Sequence, residues 1–210
     1  MRFFTRWRST VPARRIDNSG RTTSPHHKAG FTLVEITVVV FLVLVLTGIA
    51  APRVDVTRFR IDSAIQSAVS VLMSSRGEAI LRQHDVLVLF NADSLKLRVI
   101  SDTNNNGAID IGEAERQVVL EDAVTFGLGS ADELFSYSDA ISLGKKIDGT
   151  PALVFKRNGS ASEEVVIYLT SMRGAGGTSF PGDTRALFIE RATGRVVCYS
   201  FRTLAWIESC

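Results

Sequence analysis

The chain has 210 residues, 45% of them hydrophobic and 22% charged, enough for one apolar segment and one globular domain of ordinary size. Its net charge of +2 hides an asymmetry. Residues 1–30 carry seven basic side chains (Arg2, Arg6, Arg8, Arg14, Arg15, Arg21, Lys28) and one acid, Asp17, leaving 17 basic against 21 acidic residues from Phe31 onward; the body lacks the bulk positive charge of a nucleic-acid binder.

Residues 1–30 are rich in Ser, Thr and Arg, show no apolar periodicity, and read as a leader to be removed. Phe31–Ala51 is the one long apolar run. Its roughly 20 residues would span about 30 Å as a helix, the thickness of a bilayer core. Basic residues precede it, so the N-terminus is expected in the cytoplasm and the body outside. Pro52 interrupts, but apolar spacing resumes at Ile61, Ile65, Ala68, Leu72, Ala79 and Ile80, one helical face. The pattern predicts one long helix over 32–84, membrane-spanning across 31–51 and amphipathic across 52–84.

From residue 85 the pattern is β. VLVLF (86–90) and LKLRVI (95–100) flank NADS; RQVVL (116–120) and AVTFG (123–127) follow. ALVFK (152–156) and EVVIYLT (164–170) flank RNGSASE, and RALFIE (185–190) and RVVCYSF (195–201) flank RATG, three hairpin signals in all. Residues 128–150 and 171–183, rich in Gly, Ser and Asp, read as loops. The predicted fold class is α+β: a long N-terminal helix packed on an antiparallel sheet or β-sandwich head over 85–210. The two cysteines, Cys198 and Cys210, would close a short loop if bonded; spacing does not decide between a disulfide and two thiols.

Glu35 stands out within the apolar run, because a carboxylate in hydrocarbon is costly unless neutralised or paired. A cut after Gly30 would make the amine of Phe31 a new N-terminus one helical turn from Glu35. The helix N-terminus itself favours a nearby carboxylate. The cation that meets Glu35 is either its own amine or that of a neighbouring helix, and the second choice would set a register for adding subunits.

The stretch KAGFTLVE closely resembles the class III signal of type IV pilins and of the pseudopilins of type II secretion, with Gly30, Phe31 and Glu35 at its three defining positions and Pro52 at a proline common in these helices. The resemblance implies cleavage between Gly30 and Phe31 by a prepilin peptidase, N-methylation of Phe31, and Glu35 guiding assembly. The implied partners are other pilins or pseudopilins and an inner-membrane assembly platform, with the head in the periplasm. The leader is longer than the family's usual one, which leaves the translation start open. Two other readings compete: a secretory signal cut after Ala50, at Gly48-Ile49-Ala50, and an uncleaved signal anchor.

A second resemblance lies in the body. Phe155 and Gly159, the strand EVVIYLT, and Thr193-Gly194-Arg195-Val196 are similar to the C-terminal half of H-type minor pseudopilins and FimT-type minor pilins. This implies a minor subunit of a type II secretion pseudopilus, or alternatively a minor pilin of a type IV pilus or DNA-uptake machine.

DTNNNGAIDIGE (102–113) has the spacing of a calcium loop: Asp102, Asn104, Asn106, Asp110 and Glu113 at positions 1, 3, 5, 9 and 12, Gly107 at 6 and the Ala108 carbonyl at 7. Calcium is therefore the one candidate cofactor. Strands and not helices flank the loop, and Asn and Gly are also what a polar hairpin requires.

Nothing points to an enzyme. His84 is the only histidine after the leader, and RGAGG (173–177) lacks the ending of a phosphate-binding loop. Arg191, Arg195 and Arg202 are candidates for a local DNA-binding patch, against the plainer reading that they pair with acids such as Glu190 and Glu208.

Overall fold

The computed structural model describes residues 31–50, 56–120, 123–177 and 179–209. The leader lies outside the described residues, as does Pro52, where the sequence predicts continuity of one long helix. Among the described residues of this region stand two helices, α1 (Leu33–Ala50) and α2 (Val56–Arg82). They fall in two compact units, residues 1–51 and 52–210.

In the second unit, α2 ends two residues before the expected His84. Gln83 takes a left-handed φ of 58° and its amide donates to the Ile80 carbonyl, a side-chain cap that turns the chain into the first strand. Ten strands follow: β1 (Asp85–Asn91), β2 (Lys96–Asp102), β3 (Glu115–Val119), β4 (Val124–Phe126), β5 (Lys146–Ile147), β6 (Thr150–Phe155), β7 (Val165–Ser171), β8 (Arg185–Ile189), β9 (Val196–Arg202) and β10 (Ala205–Glu208). They form two sheets, ordered β3-β2-β1-β6-β5 and β10-β9-β8-β7-β4, with every pairing antiparallel. The α+β expectation holds, in its two-sheet form, but the hairpin expected of 152–156 with 164–170 does not form. β6 pairs with β1 and β5, β7 with β4 and β8, and the chain between them passes from one sheet to the other.

One core joins the helix to both sheets. Ile61, Ala64, Ile65, Ala68, Val71, Leu72 and Ala79 of α2 pack with Val86, Val88 and Phe90 of β1, Leu153 and Phe155 of β6, and Ile167 and Leu187 of β7 and β8. The helical face read from the sequence is this buried face, except that Ile80 sits at its margin, partly exposed. Opposite-facing residues of the central strands are buried too, in two outer clusters. Leu87, Leu89, Ile100 and Val154 lie on one sheet, and Val166, Tyr168 and Ala186 on the other. Strands covered on both faces read as continuous apolar runs, which is why VLVLF and VVIYL barely alternate.

Polar bonds fix the helix against the sheets. Arg185 on β8, almost fully buried, donates to Asp62 of α2 at 2.8 Å, and buried Asp183 accepts from Arg173 at 2.6 Å with Arg58 of α2 at 3.9 Å. Farther along α2, Arg76 Nε donates to the carbonyls of both Gly159 and Thr193, where the turn after β6 meets the β8–β9 hairpin. Gly159 and Gly194 have φ of 83° and 64°, and a Cβ on Gly194 would overlap the Gly159 carbonyl oxygen. The two glycines quoted for the body resemblance thus meet at one point of close backbone approach.

Residues 171–183, expected as a loop, contain a helical turn (Met172–Ala175), capped by the Ser171 hydroxyl, and a 3-10 turn (Pro181–Asp183). β5 and β10 are also additions to the sequence reading. β5 has two residues, too few for a period. β10 is an edge strand, exposed except at Trp206.

Candidate functional site: the N-terminal helix and its flanking motif

α1 carries one ionisable residue, Glu35, in its first turn. Thr32 precedes the helix and its hydroxyl accepts the Glu35 N–H at 3.2 Å. Thr32-Leu33-Val34-Glu35 therefore has the Thr-x-x-Glu spacing of a capping box, with one of its bonds in place. That signal was available in the sequence beside the charge argument. It starts the helix at Leu33 and keeps Phe31, 77% exposed, outside it. Gly30, on the other side of the predicted cut, lies outside the described residues.

Beyond Glu35 the helix is apolar on every side. Val38, Val39, Val40, Phe41, Leu42 and Val43 are all about half exposed, so no covered strip runs through this part of the helix. Its two internal threonines spend their hydroxyls on the helix's own carbonyls, Thr37 on Leu33 at 2.8 Å and Thr47 on Val43 at 2.7 Å. Side-chain donors satisfied within the segment suit surroundings without water. At 1.5 Å per residue the 18 residues of α1 extend about 27 Å. Among the described residues no helix is long and apolar enough to cross a membrane.

The calcium-spaced loop closes on itself. Asp102, fully buried, accepts the N–H groups of Asn106 at 3.1 Å and Gly107 at 2.7 Å; Gly107 has the left-handed φ of 71° expected at the sharp turn. Asn104 and Asn106 both donate their amides to one oxygen of Asp110, at 2.7 and 2.6 Å. Glu113 accepts from the N–H groups of Thr103 and Asp110, and Asn106 Oδ1 accepts from the Ala108 N–H. The side chains do converge, and most of their polar atoms bond within the loop, while Asn105 Oδ1 accepts the Asp85 N–H of β1. Among the described residues no three of His, Cys, Asp and Glu gather closely enough to hold a metal ion. Ile109 turns inward onto the outer cluster of the first sheet, so the loop covers that sheet.

The arginine candidates do not form one patch. Arg195 pairs with Glu208 at 3.5 Å, and the seven residues of extended chain from Arg195 to Arg202 separate the two by about 23 Å. His84 is nearly buried, its Nδ1 3.0 Å from the Asp85 carbonyl. Arg173 of RGAGG binds Asp183, a structural use. Cys198 is disulfide-bonded; Cys210, the other cysteine of the sequence, lies outside the described residues. Ser209 donates to the Cys198 carbonyl, which brings the chain end alongside β9.

Residues 25–51 match the family described as the prokaryotic N-terminal methylation motif. No curated protein matches the chain. Among solved structures, the chain is similar to the type IV minor pilin FimU of Pseudomonas aeruginosa, with 16% identity over 73% of this chain and 96% of that one and a TM-score of 0.46. It is similar also to the minor pseudopilin EpsH of the type 2 secretion system of Vibrio cholerae. One EpsH structure gives 16% identity over 64% of this chain and 92% of that one with a TM-score of 0.43, and another gives 18% over 69% and 93% with 0.39. The chain thus joins a prokaryotic N-terminal methylation motif to an α+β architecture of helix and two antiparallel sheets.

Proposed function

We propose that this chain is a minor structural subunit of a type II secretion pseudopilus, made as a precursor, cut between Gly30 and Phe31, methylated on Phe31 and held in the inner membrane by the apolar run 31–51. Its work is assembly and not chemistry. One observation carries the reading: the methylation motif ends in a helix that is apolar all round, with its single carboxylate one turn from the predicted new amine. A helix without a buried face needs cover from lipid or from other apolar helices. Glu35 in that cover needs a cation, and a free amine at Phe31, its own or a neighbour's, is the nearest the sequence offers.

Intact mass of the mature chain tests the reading. The expected species begins at N-methylated Phe31; a chain beginning at Ala51, or an uncut one, overturns it. Deleting the gene in its host separates the two filament systems: loss of exoprotein secretion with pili intact supports the pseudopilus, and the reverse assigns the chain to a pilus. A Glu35→Ala chain that is processed and enters filaments at the normal level would overturn the role given to Glu35.

A further inference from the structure

The segment from Leu128 to Gly144 holds three acids and no Lys or Arg, and part of it lies on the outer face of the second sheet. At its centre is a tight turn, with Leu134 bridged to Tyr137 and the Tyr137 N–H donating to the Leu134 carbonyl at 3.1 Å. The two residues between them, Phe135 and Ser136, have φ of 51° and 65°. Two consecutive positive φ values are the pattern of a turn that normally takes Asn-Gly, and a bulky aromatic there is a backbone outlier.

Such strain persists when its surroundings over-determine it, and here they do. The hydroxyl of Tyr168, buried in the sheet, accepts the Leu134 N–H at 2.7 Å and donates to the Tyr137 carbonyl at 2.8 Å; Trp206 Nε1 donates to the Asp132 carbonyl at 2.9 Å. The result is an aromatic ring held up on the surface. Phe135 is 56% exposed, edge-on to Phe188 at 5.1 Å and to Tyr199 at 5.9 Å between ring centres. A residue needed only for packing would be buried, and a residue needed only for the turn would not be Phe.

Acids flank the turn. Asp132 and Glu133 precede it on the exposed segment, and Glu164 accepts from the Tyr137 hydroxyl at 3.4 Å. The field they make is visible in their neighbours: burial, then Glu164 and Glu163, push the Tyr137 hydroxyl above its usual range, and burial together with Glu133 pushes Tyr168 up.

We propose that Phe135, packed edge-on against Phe188 and Tyr199 on a turn flanked by Asp132, Glu133 and Glu164, is the docking anchor for a different protein subunit that presents Arg or Lys among apolar residues. Rigid aromatic anchors ringed by charge are the usual centre of an interface, and a guanidinium meets both the ring faces and the carboxylates. A second copy of this chain has the wrong sign, since its body is itself acidic. The inference rests on the reading of the chain as a filament subunit.

The test uses the full chain in its native host, with the photo-crosslinker p-benzoylphenylalanine in place of Phe135 and, as a control, in place of Ile111, which is fully exposed on the cover of the other sheet. Irradiation is expected to give an adduct from position 135 to another protein, mapped to a peptide containing Arg or Lys, and none to that protein from position 111. Adding Asp132→Lys and Glu133→Lys, with the melting curve checked to be unchanged, is expected to cut the adduct at least about tenfold. No protein adduct, an adduct indifferent to the charge reversal, or an adduct to lipid, glycan or a second copy of this chain overturns the proposal. Failure of the filament reading would show instead in the mass of the mature N-terminus.

Discussion

Both sheets of the head are covered on their outer faces by an inserted segment, and the two covers are held by opposite chemistry. The cover of the first sheet, residues 103–114, is polar: Asp102 at the end of β2 and the loop's own side chains accept its backbone N–H groups, Asn105 accepts the Asp85 N–H of β1, and one apolar side chain, Ile109, reaches the sheet. The cover of the second, residues 128–142, is aromatic: hydroxyl and indole groups reach outward from the sheet to hold its backbone. The first closes by local bonds between residues near in sequence. The second is closed by the sheet and takes up strain in doing so. A cover closed mainly by bonds between residues near in sequence follows its own turn, whereas a cover closed by groups distant in sequence has its shape imposed and can present a side chain that its own turn would reject.

The sharpest way to break the contrast is Asp102→Ala. It removes the buried acceptor of two N–H groups, so about 3 kcal/mol of stability should be lost, read as a drop in melting temperature of the whole chain. A loss under about 1 kcal/mol would mean that the loop is not held by Asp102. Tyr168→Phe tests the other cover. It keeps the ring but strands the Leu134 N–H, and should cost about 2 kcal/mol, with faster proteolysis near Phe135 as the local signature. Trp206→Phe removes one bond to the rim of the same cover and should cost about 1 kcal/mol by the same melting assay.

The smallest effect is a matter of pH. Arg98 binds Glu115 through two bonds, at 2.9 and 3.0 Å, at the foot of the first cover. The Arg98 guanidinium, and then the Gln117 amide, hold the Glu115 carboxyl at about 2 instead of its ordinary 4.5. A depressed carboxylate contributes stability above its unfolded pKa and loses it as pH falls through the folded one. Wild type should therefore exceed Glu115→Gln at pH 7, with the gap closing between pH 4.5 and pH 2. About a third of each side chain is exposed, so solvent screening keeps the gap below about 1 kcal/mol.

Much of this was legible from residue patterns, and the rest was not, for physical reasons. β-branched runs with Gly- or Asn-bearing turns gave the central strands and two of the three expected hairpins, because both signals are local. The turn after β6 carries the same residue types, but which strands pair across it is decided by the two sheets and not by the turn. The buried face of α2 was legible because its period is 3.6. β5 was not, because two residues have no period. The Asn-rich loop was legible as a sharp turn but ambiguous in chemistry, since the same oxygens serve a cation or a backbone N–H. The turn at Phe135 left no trace: Leu-Phe-Ser-Tyr contains neither Gly nor Asn, and its shape comes from the Tyr168 hydroxyl, 31 positions away in sequence from Tyr137. Burial of Arg185 in β8 was equally hidden, because its partner Asp62 stands on α2.

α1 is apolar on every side, with its hydroxyls turned back on its own carbonyls. A cylinder of that kind has no preferred azimuth. Spun about its axis it offers a neighbour much the same surface, so tight packing alone gives it no fixed rotational setting. Glu35 is the single mark on its circumference, and any orientation that such a helix keeps among its neighbours has to be read from that one carboxylate.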